Sequence, residues 1–208
     1  MQRRFLSSCL WVAVLGACSV VAGGCSIIDA IDRALNPPPA LEAIGENKVL
    51  VLPFAPLNVR QVAPDLETEV TSILVGEMQE VFFDASFVSA ETLRAWRAKN
   101  LNWRGMLTPE IGKAFEADLV FEINIFKFST RDRPGGMVQQ GQLGWEARLV
   151  NVEDGKRLWK MGRDQVRWPA TPEYFVNEIS EDTVKANVIR RFAETFVYRF
   201  VEGYKGGS

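Results

Sequence analysis

The 208-residue chain is 47% hydrophobic and 24% charged, a composition that excludes disorder throughout and predicts one globular domain with appendages. The first 24 residues hold two arginines and no acidic residue, so the rest carries 22 basic and 26 acidic residues, and this balance predicts no nucleic-acid partner. The chain has no histidine, which excludes Ser-His-Asp and Cys-His nucleophiles and every metal site built on histidine.

The first 24 residues have the layout of a secretory signal. Arg3 and Arg4 form a positive tip, and residues 5–21 follow without a charge. An uncharged run of this length is at the lower limit for a membrane-spanning helix, so the residues that follow it decide between export and anchoring.

All three cysteines lie within the first 25 residues. The tetrad "AGGC", ending at Cys25, resembles the lipobox of bacterial lipoproteins, in which the cysteine is acylated and becomes the first residue. The tetrad "LGAC", ending at Cys18, fits the same pattern. Cleavage before Cys25 removes the whole apolar run and leaves no other thiol, so we favour Cys25 for lipid attachment and keep Cys18 as the alternative. A plain secreted domain is a second alternative.

Residues 25–47 are interpreted as a lipidated N-terminus and a tether. Ile27, Ile28, Ile31 and Leu35 recur at helical spacing before the run "NPPPA" ends the pattern. Fully extended, residues 26–47 reach about 70 Å at most, so the domain is expected to work close to its membrane. Serine after the lipid cysteine is similar to the outer-membrane sorting signal of enterobacteria, which favours the periplasmic face of the outer membrane.

Residues 48–204 are predicted to form a single domain, with 205–208 as a disordered tail. The run "KVLVLPF" is typical of a strand covered on both faces. Asp65 opens a helix with an apolar stripe, and residues 85–89 form a second short strand. Ser89 caps a helix that runs through Trp96, and "TP" at residues 108–109 begins another. The stripe consists of Leu66, Val70, Ile73, Leu74, Met78 and Val81.

The second half of the domain changes to a period of two, which predicts a three-stranded antiparallel meander. Ser180 then precedes a long C-terminal helix. The apolar side of the first two strands consists of Phe121, Ile123, Ile125, Leu143, Trp145, Ala147 and Leu149. The apolar stripe of the helix consists of Val184, Val188, Phe192, Phe196 and Phe200. The predicted fold class is therefore α/β (α+β), a mixed sheet with helices packed on it.

Three stretches, "KVLVLPF", "GKAFEADLVFEINI" and "LVNVEDGKRLW", carry a family resemblance. In this order of elements, residues 47–204 resemble the small α/β domain shared by penicillin-binding-protein activator lipoproteins, the curli secretion lipoprotein and the amino-terminal domain of the Tol-Pal translocation protein. The resemblance implies this fold more strongly than any one function.

No enzyme is predicted, and no cofactor or metal. Neither a P-loop nor a GxGxxG motif occurs. Glu122 and Glu146 lie on facing strands, an arrangement that glycoside hydrolysis uses. We interpret them instead as charges on a solvated sheet face, with Arg148 as the partner of Glu122.

One cluster of residues suggests an interaction surface. Within eleven residues lie Arg94, Trp96, Arg97, Lys99, Trp103 and Arg104. Trp and Arg dominate binding hot spots, so contact with a protein partner, the glycan wall or anionic headgroups is one hypothesis. The interpretation that we favour places both tryptophans in the core beneath a loop, with solvated basic side chains.

The sequence is compatible with two functions. The first is a non-enzymatic envelope adaptor or assembly factor that is held to the membrane by covalent lipid and binds an envelope protein. The alternative is an oligomeric subunit of an outer-membrane secretion or transport assembly, so self-association stays open. The segment "RDRPGGMVQQ" is too short and polar for a barrel hairpin, and the tether is short for an activator lipoprotein, which must cross the wall.

Overall fold

The computed structural model describes residues 43–171, 174–175 and 178–202. The predicted signal peptide, the cysteines proposed for lipid attachment, the tether up to residue 42 and the tail at 205–208 lie outside the described residues. No helix in the part of the chain that the structure describes has the length and apolar character that crossing a membrane requires.

A mixed sheet organises the domain, as the sequence predicts. The strands are β1 Lys48–Phe54, β2 Ser86–Phe87, β3 Leu119–Arg131, β4 Val138–Asn151, β5 Arg157–Trp168 and β6 Tyr174–Phe175. The spatial order is β2-β1-β3-β4-β5, with β1 parallel to β2 and β3, while β3, β4 and β5 form the antiparallel meander. The two-residue strand β6 pairs with β4.

The helices begin near the residues that the sequence indicates. The helices are α1 Leu57–Val62, α2 Leu66–Val81, α3 Ala90–Lys99, α4 Thr108–Ala114 and α5 Glu181–Glu202, with a 3-10 turn at Trp103–Gly105. Ser89 caps α3 by accepting a hydrogen bond of 3.2 Å from the backbone N–H of Thr92. Helix α4 begins at Thr108, but the Thr108 hydroxyl turns inward to Glu122 and does not cap it.

One face of the sheet, here termed the helical face, is covered by α2 and α5. Phe121 of β3 meets Phe196 and Phe200 of α5 edge-on, with ring centroids 5.5 and 5.0 Å apart. Trp145 of β4 meets Phe192 in the same way at 4.8 Å. The predicted stripe of α5 is fully buried, so aromatic packing holds the C-terminal helix to the meander.

The opposite face, here termed the polar face, is covered only in part. Leu50 and Leu52 of β1 and Val120 of β3 pack beneath α3, the 3-10 turn and α4. Farther along the sheet, Arg148 of β4 and Lys160 of β5 are exposed. A second apolar core therefore ends at a strip of charged side chains, and the candidate site lies at this boundary.

Candidate interaction surface

The structure divides the six residues of the predicted interaction surface. Trp103 is only 6% exposed and belongs to the core of the polar face. Trp96 is partly buried and packs on Phe115, with ring centroids 5.1 Å apart. Arg94 and Lys99, on α3, are exposed. The remaining two, Arg97 and Arg104, are held by a carboxylate.

Arg97 lies against the core. Its guanidinium is 4.1 Å from the centroid of the Trp103 ring, and it donates to the Pro53 carbonyl at 2.8 Å and to Glu67 at 3.2 Å. Burial lowers the pKa of Arg97 to about 10, an effect that the charge of Glu67 opposes and that of Arg104 reinforces. The side chain still carries its charge at neutral pH and depends on Glu67 for compensation.

Glu67, near the start of α2, is the centre of this arrangement. It is 7% exposed, and it accepts hydrogen bonds from the Ala55 N–H at 2.7 Å and from Arg104 Nη2 at 2.7 and 2.9 Å. The Arg104 guanidinium also lies over the Trp103 ring, 4.3 Å from its centroid. Glu67 is not among the site residues predicted from the sequence, because its only local signal is that of an acid in the first turn of a helix.

A second buried carboxylate, Glu122 of β3, corrects the prediction of a solvated sheet face. Glu122 is only 6% exposed. The Thr108 hydroxyl donates to Glu122 Oε2, and Arg148 Nη2 donates to the same oxygen at 2.7 Å. The predicted pairing of Glu122 with Arg148 is confirmed, and the two residues are direct partners across β3 and β4. Glu122 is buried because Thr108 of α4 closes over it.

Glu146 has a charged neighbour of its own. It lies across from Asn124 in the β3–β4 register and is 3.9 Å from Arg163, with 43% of its side chain exposed. Glu122 and Glu146 are thus each next to a different arginine.

Glu122 borders a groove of about 380 Å³, here termed the arginine groove. Arg104 comes from the 3-10 turn, Arg148 from β4 and Arg157 from the start of β5. The groove is lined by Phe54, Arg104, Met106, Leu107, Thr108, Pro109, Glu122, Asn124, Arg148, Val150, Gly155 and Arg157.

The β4–β5 turn places Arg157 at the groove. Asn151 Oδ1 accepts hydrogen bonds from the N–H groups of Glu153 and Asp154 at 2.9 and 3.3 Å. Gly155 takes a left-handed backbone conformation with φ of 70°, which glycine adopts without steric cost. The sequence "EDGK" is thus suited to a tight turn that returns the chain along β4.

The chemistry of the groove favours binding over proton transfer. Glu122 accepts from Thr108 and Arg148, so its Oε2 is occupied. Arg148 still has 47% of its side chain exposed, and guanidinium groups present several N–H donors in a planar fork. The groove therefore offers donors and positive charge to a bound group.

No protein-family model and no curated protein matches the sequence. Among solved structures, the lipoprotein GNA1162 from Neisseria meningitidis aligns at 15% identity and a TM-score of 0.47, over 74% of this chain and 97% of that one. The PelC dodecamer from Paraburkholderia phytofirmans aligns at 12% and 0.40, over 71% and 85%. The LpoB C-terminal domain from Salmonella enterica aligns at 14% and 0.34, over 59% and 83%. Bacterial lipoproteins are thus among the structural neighbours, as the resemblance predicts, and at these identities the likeness concerns the backbone arrangement.

Proposed function

We propose that this chain is a non-enzymatic lipoprotein of the cell envelope, anchored through Cys25, that acts as an adaptor or assembly factor by binding another envelope protein. The observation that carries the proposal is the tetrad "AGGC" at the end of an uncharged run that follows two arginines. Bacterial lipoproteins carry two or three acyl chains, and two or more are needed for stable anchoring.

The placement of polar groups in the domain supports a binding role. Glu67 and Glu122 are buried and bonded to arginines, and the chain has no histidine to act as a general acid or base at neutral pH. Arg94 and Lys99 on α3, together with the arginine groove, supply exposed cationic groups. Such groups steer and orient a partner of opposite charge.

The proposed location is the periplasmic face of the outer membrane. Ser26 follows the proposed lipid cysteine, and residues 26–47 reach at most about 70 Å. The domain would therefore meet partners that lie close to its own membrane.

The anchoring is tested by metabolic labelling with an alkyne fatty acid and by intact-mass measurement of the purified protein. The wild type is compared with Cys25→Ser and with the matched control Cys18→Ser. We expect label on the wild type and on C18S, and its loss from C25S. Loss from C18S alone would move the lipid to Cys18, and an unacylated wild type in the soluble fraction would remove the proposal.

The partner is tested by crosslinking in living cells with a photoreactive amino acid at position 94 of the full chain, followed by mass spectrometry. The control places the same amino acid at Met137, which is 65% exposed on the β3–β4 loop. A specific envelope protein crosslinked at position 94 only, and no longer crosslinked when Lys99→Glu is added to the same chain, supports an adaptor. Crosslinks solely between copies of the chain, or to a secretion pore, would favour the assembly-subunit alternative.

A further inference from the structure

We propose that the arginine groove binds an acidic peptide segment of the protein partner. This inference rests on the proposed function and specifies the chemistry of the contact. Three guanidinium groups reach one groove from three elements: Arg104 from the 3-10 turn, Arg148 from β4 and Arg157 from β5. They are brought together by the fold, since they are spread over more than fifty residues of sequence.

The charge of the groove differs in sign from that of the chain. Its lining holds three arginines and a single acidic residue, Glu122, whereas the whole chain has a net charge of −2. Glu67, just behind Arg104, does not cancel this excess, because it already compensates Arg97 as well. A net positive groove on a net negative protein is complementary to an acidic ligand.

The strand register adds a second argument. Arg148 lies across from Glu122 on β3 and directly across from Lys160 on β5. Like charges in directly opposed positions destabilise a sheet. A carboxylate bound beside Arg148 would offset this repulsion. Arg157, exposed at the start of β5, makes no ion pair within the described part of the chain, and its charge is available as well.

The groove also has an apolar wall, which favours a peptide over a small inorganic anion. Phe54, Met106 and Val150 line it, and Leu107 projects with 67% of its surface exposed. An aliphatic side chain next to an acidic residue could pack on this wall while the carboxylate meets the arginines. A volume of about 380 Å³ accommodates a short segment rather than a folded surface.

The test measures fluorescence anisotropy of a labelled hexapeptide, Leu-Glu-Glu-Glu-Glu-Leu, with the purified full chain in detergent at low ionic strength. The matched probe replaces each glutamate by glutamine. We expect binding of the acidic probe only, weakened by added salt. The double variant Arg148→Gln/Arg157→Gln is expected to weaken binding by about tenfold or more, because charge-assisted hydrogen bonds are lost.

The control variant Arg133→Gln/Arg163→Gln removes the same charge from two side chains that are 80% and 75% exposed outside the groove. It is expected to leave affinity within about twofold, since distant exposed charges are screened. Arg157→Glu is a further variant, at an exposed position, for which loss of binding does not depend on the buried Glu122. Thermal unfolding of each variant checks that the fold persists.

Three results would overturn the inference: equal binding of the glutamine probe, equal loss of affinity in the control variant, or no binding of the acidic probe by the wild type. Binding through the same arginines to vesicles of phosphatidylglycerol and phosphatidylethanolamine, without peptide binding, would assign the groove to a membrane surface instead. Acylation of Cys25 without peptide binding would overturn this inference and leave the proposed lipoprotein function intact. Peptide binding by a chain that is not acylated in cells would support the groove as a peptide site and overturn the proposed lipid anchor.

Discussion

The helical face of the sheet is closed by aromatic side chains, whereas the polar face ends in two buried carboxylates and an open groove. On the helical face, Phe121, Phe196 and Phe200 are fully buried, and Phe121 contacts both of the other rings. Glu122 on the polar face and Glu67 on α2, which bonds to Arg97 and Arg104, are buried to a similar degree, yet each needs arginine to offset its desolvation. The helical face is therefore closed mainly by apolar packing, whereas the polar face combines an apolar core with charged pairs that border the groove.

The largest expected effect is on the helical face. Phe196→Ala removes a ring that contacts Phe121, Trp159 and Phe192 and should lower the free energy of unfolding by about 3–5 kcal/mol. Urea unfolding of the full chain measures it. Phe83→Ala, at a side chain that is 83% exposed, is the control and should stay within about 0.5 kcal/mol. Similar values for both variants would contradict the closed aromatic core.

The next effect concerns Glu67, where the polar face meets α2. Glu67→Gln leaves the mostly buried Arg97 without its compensating charge and should cost about 3 kcal/mol of unfolding free energy. Glu69→Gln, two residues away, is the matched control. Glu69 pairs with Lys185 but is 37% exposed, so its loss should cost less than about 1 kcal/mol. A cost for E67Q no larger than that of E69Q would show that the buried pairs are dispensable.

A smaller effect is expected at Glu122. Glu122→Gln keeps an acceptor for Thr108, and Arg148, half exposed, can turn to solvent, so the cost should be about 1–2 kcal/mol. Glu146→Gln, at the 43% exposed neighbour, should change the unfolding free energy by less than about 0.5 kcal/mol. Chemical denaturation of both variants ranks them. If E122Q lowered the unfolding free energy as much as E67Q does, the exposure of Arg148 would not reduce the cost of losing its partner.

The smallest effect lies on the outer surface of the helices. Burial, with repulsion from Glu80 and Glu194, raises the pKa of Glu77, and Arg190 opposes this. The folded state therefore holds the Glu77 proton more tightly than the unfolded state, and ionisation makes folding less favourable as pH rises above about 4.5. Glu77→Gln should stabilise the protein at pH 7 by less than about 0.5 kcal/mol, and the gain should disappear below pH 4.5. A gain that persists at pH 4 would exclude this cause.

Local patterns predicted most of the elements. Alternation in "LVFEINIF" identified β3, and the four-residue spacing of Val184, Val188 and Phe192 identified α5. The cap at Ser89 was also readable, because its partner is only three residues away. The solvated position assigned to Glu122 was wrong, because alternation shows which side of a strand a residue takes but not whether a helix covers that side.

The order and type of most elements could be predicted from the sequence, since periodicity, capping and turn chemistry act over a few residues. The six-residue helix α1 and the two-residue strand β6 were not predicted, because they are too short to show a periodic pattern. The contacts of Glu67 with Arg97 and Arg104, 30 and 37 residues away, and the meeting of three arginines at one groove became visible only in the folded domain. Such contacts depend on how strands pair and helices cross, and the spacing of charged residues in the sequence does not show which of them will form pairs. Whether a charge is buried depends on every element that packs around it, and therefore on the whole fold.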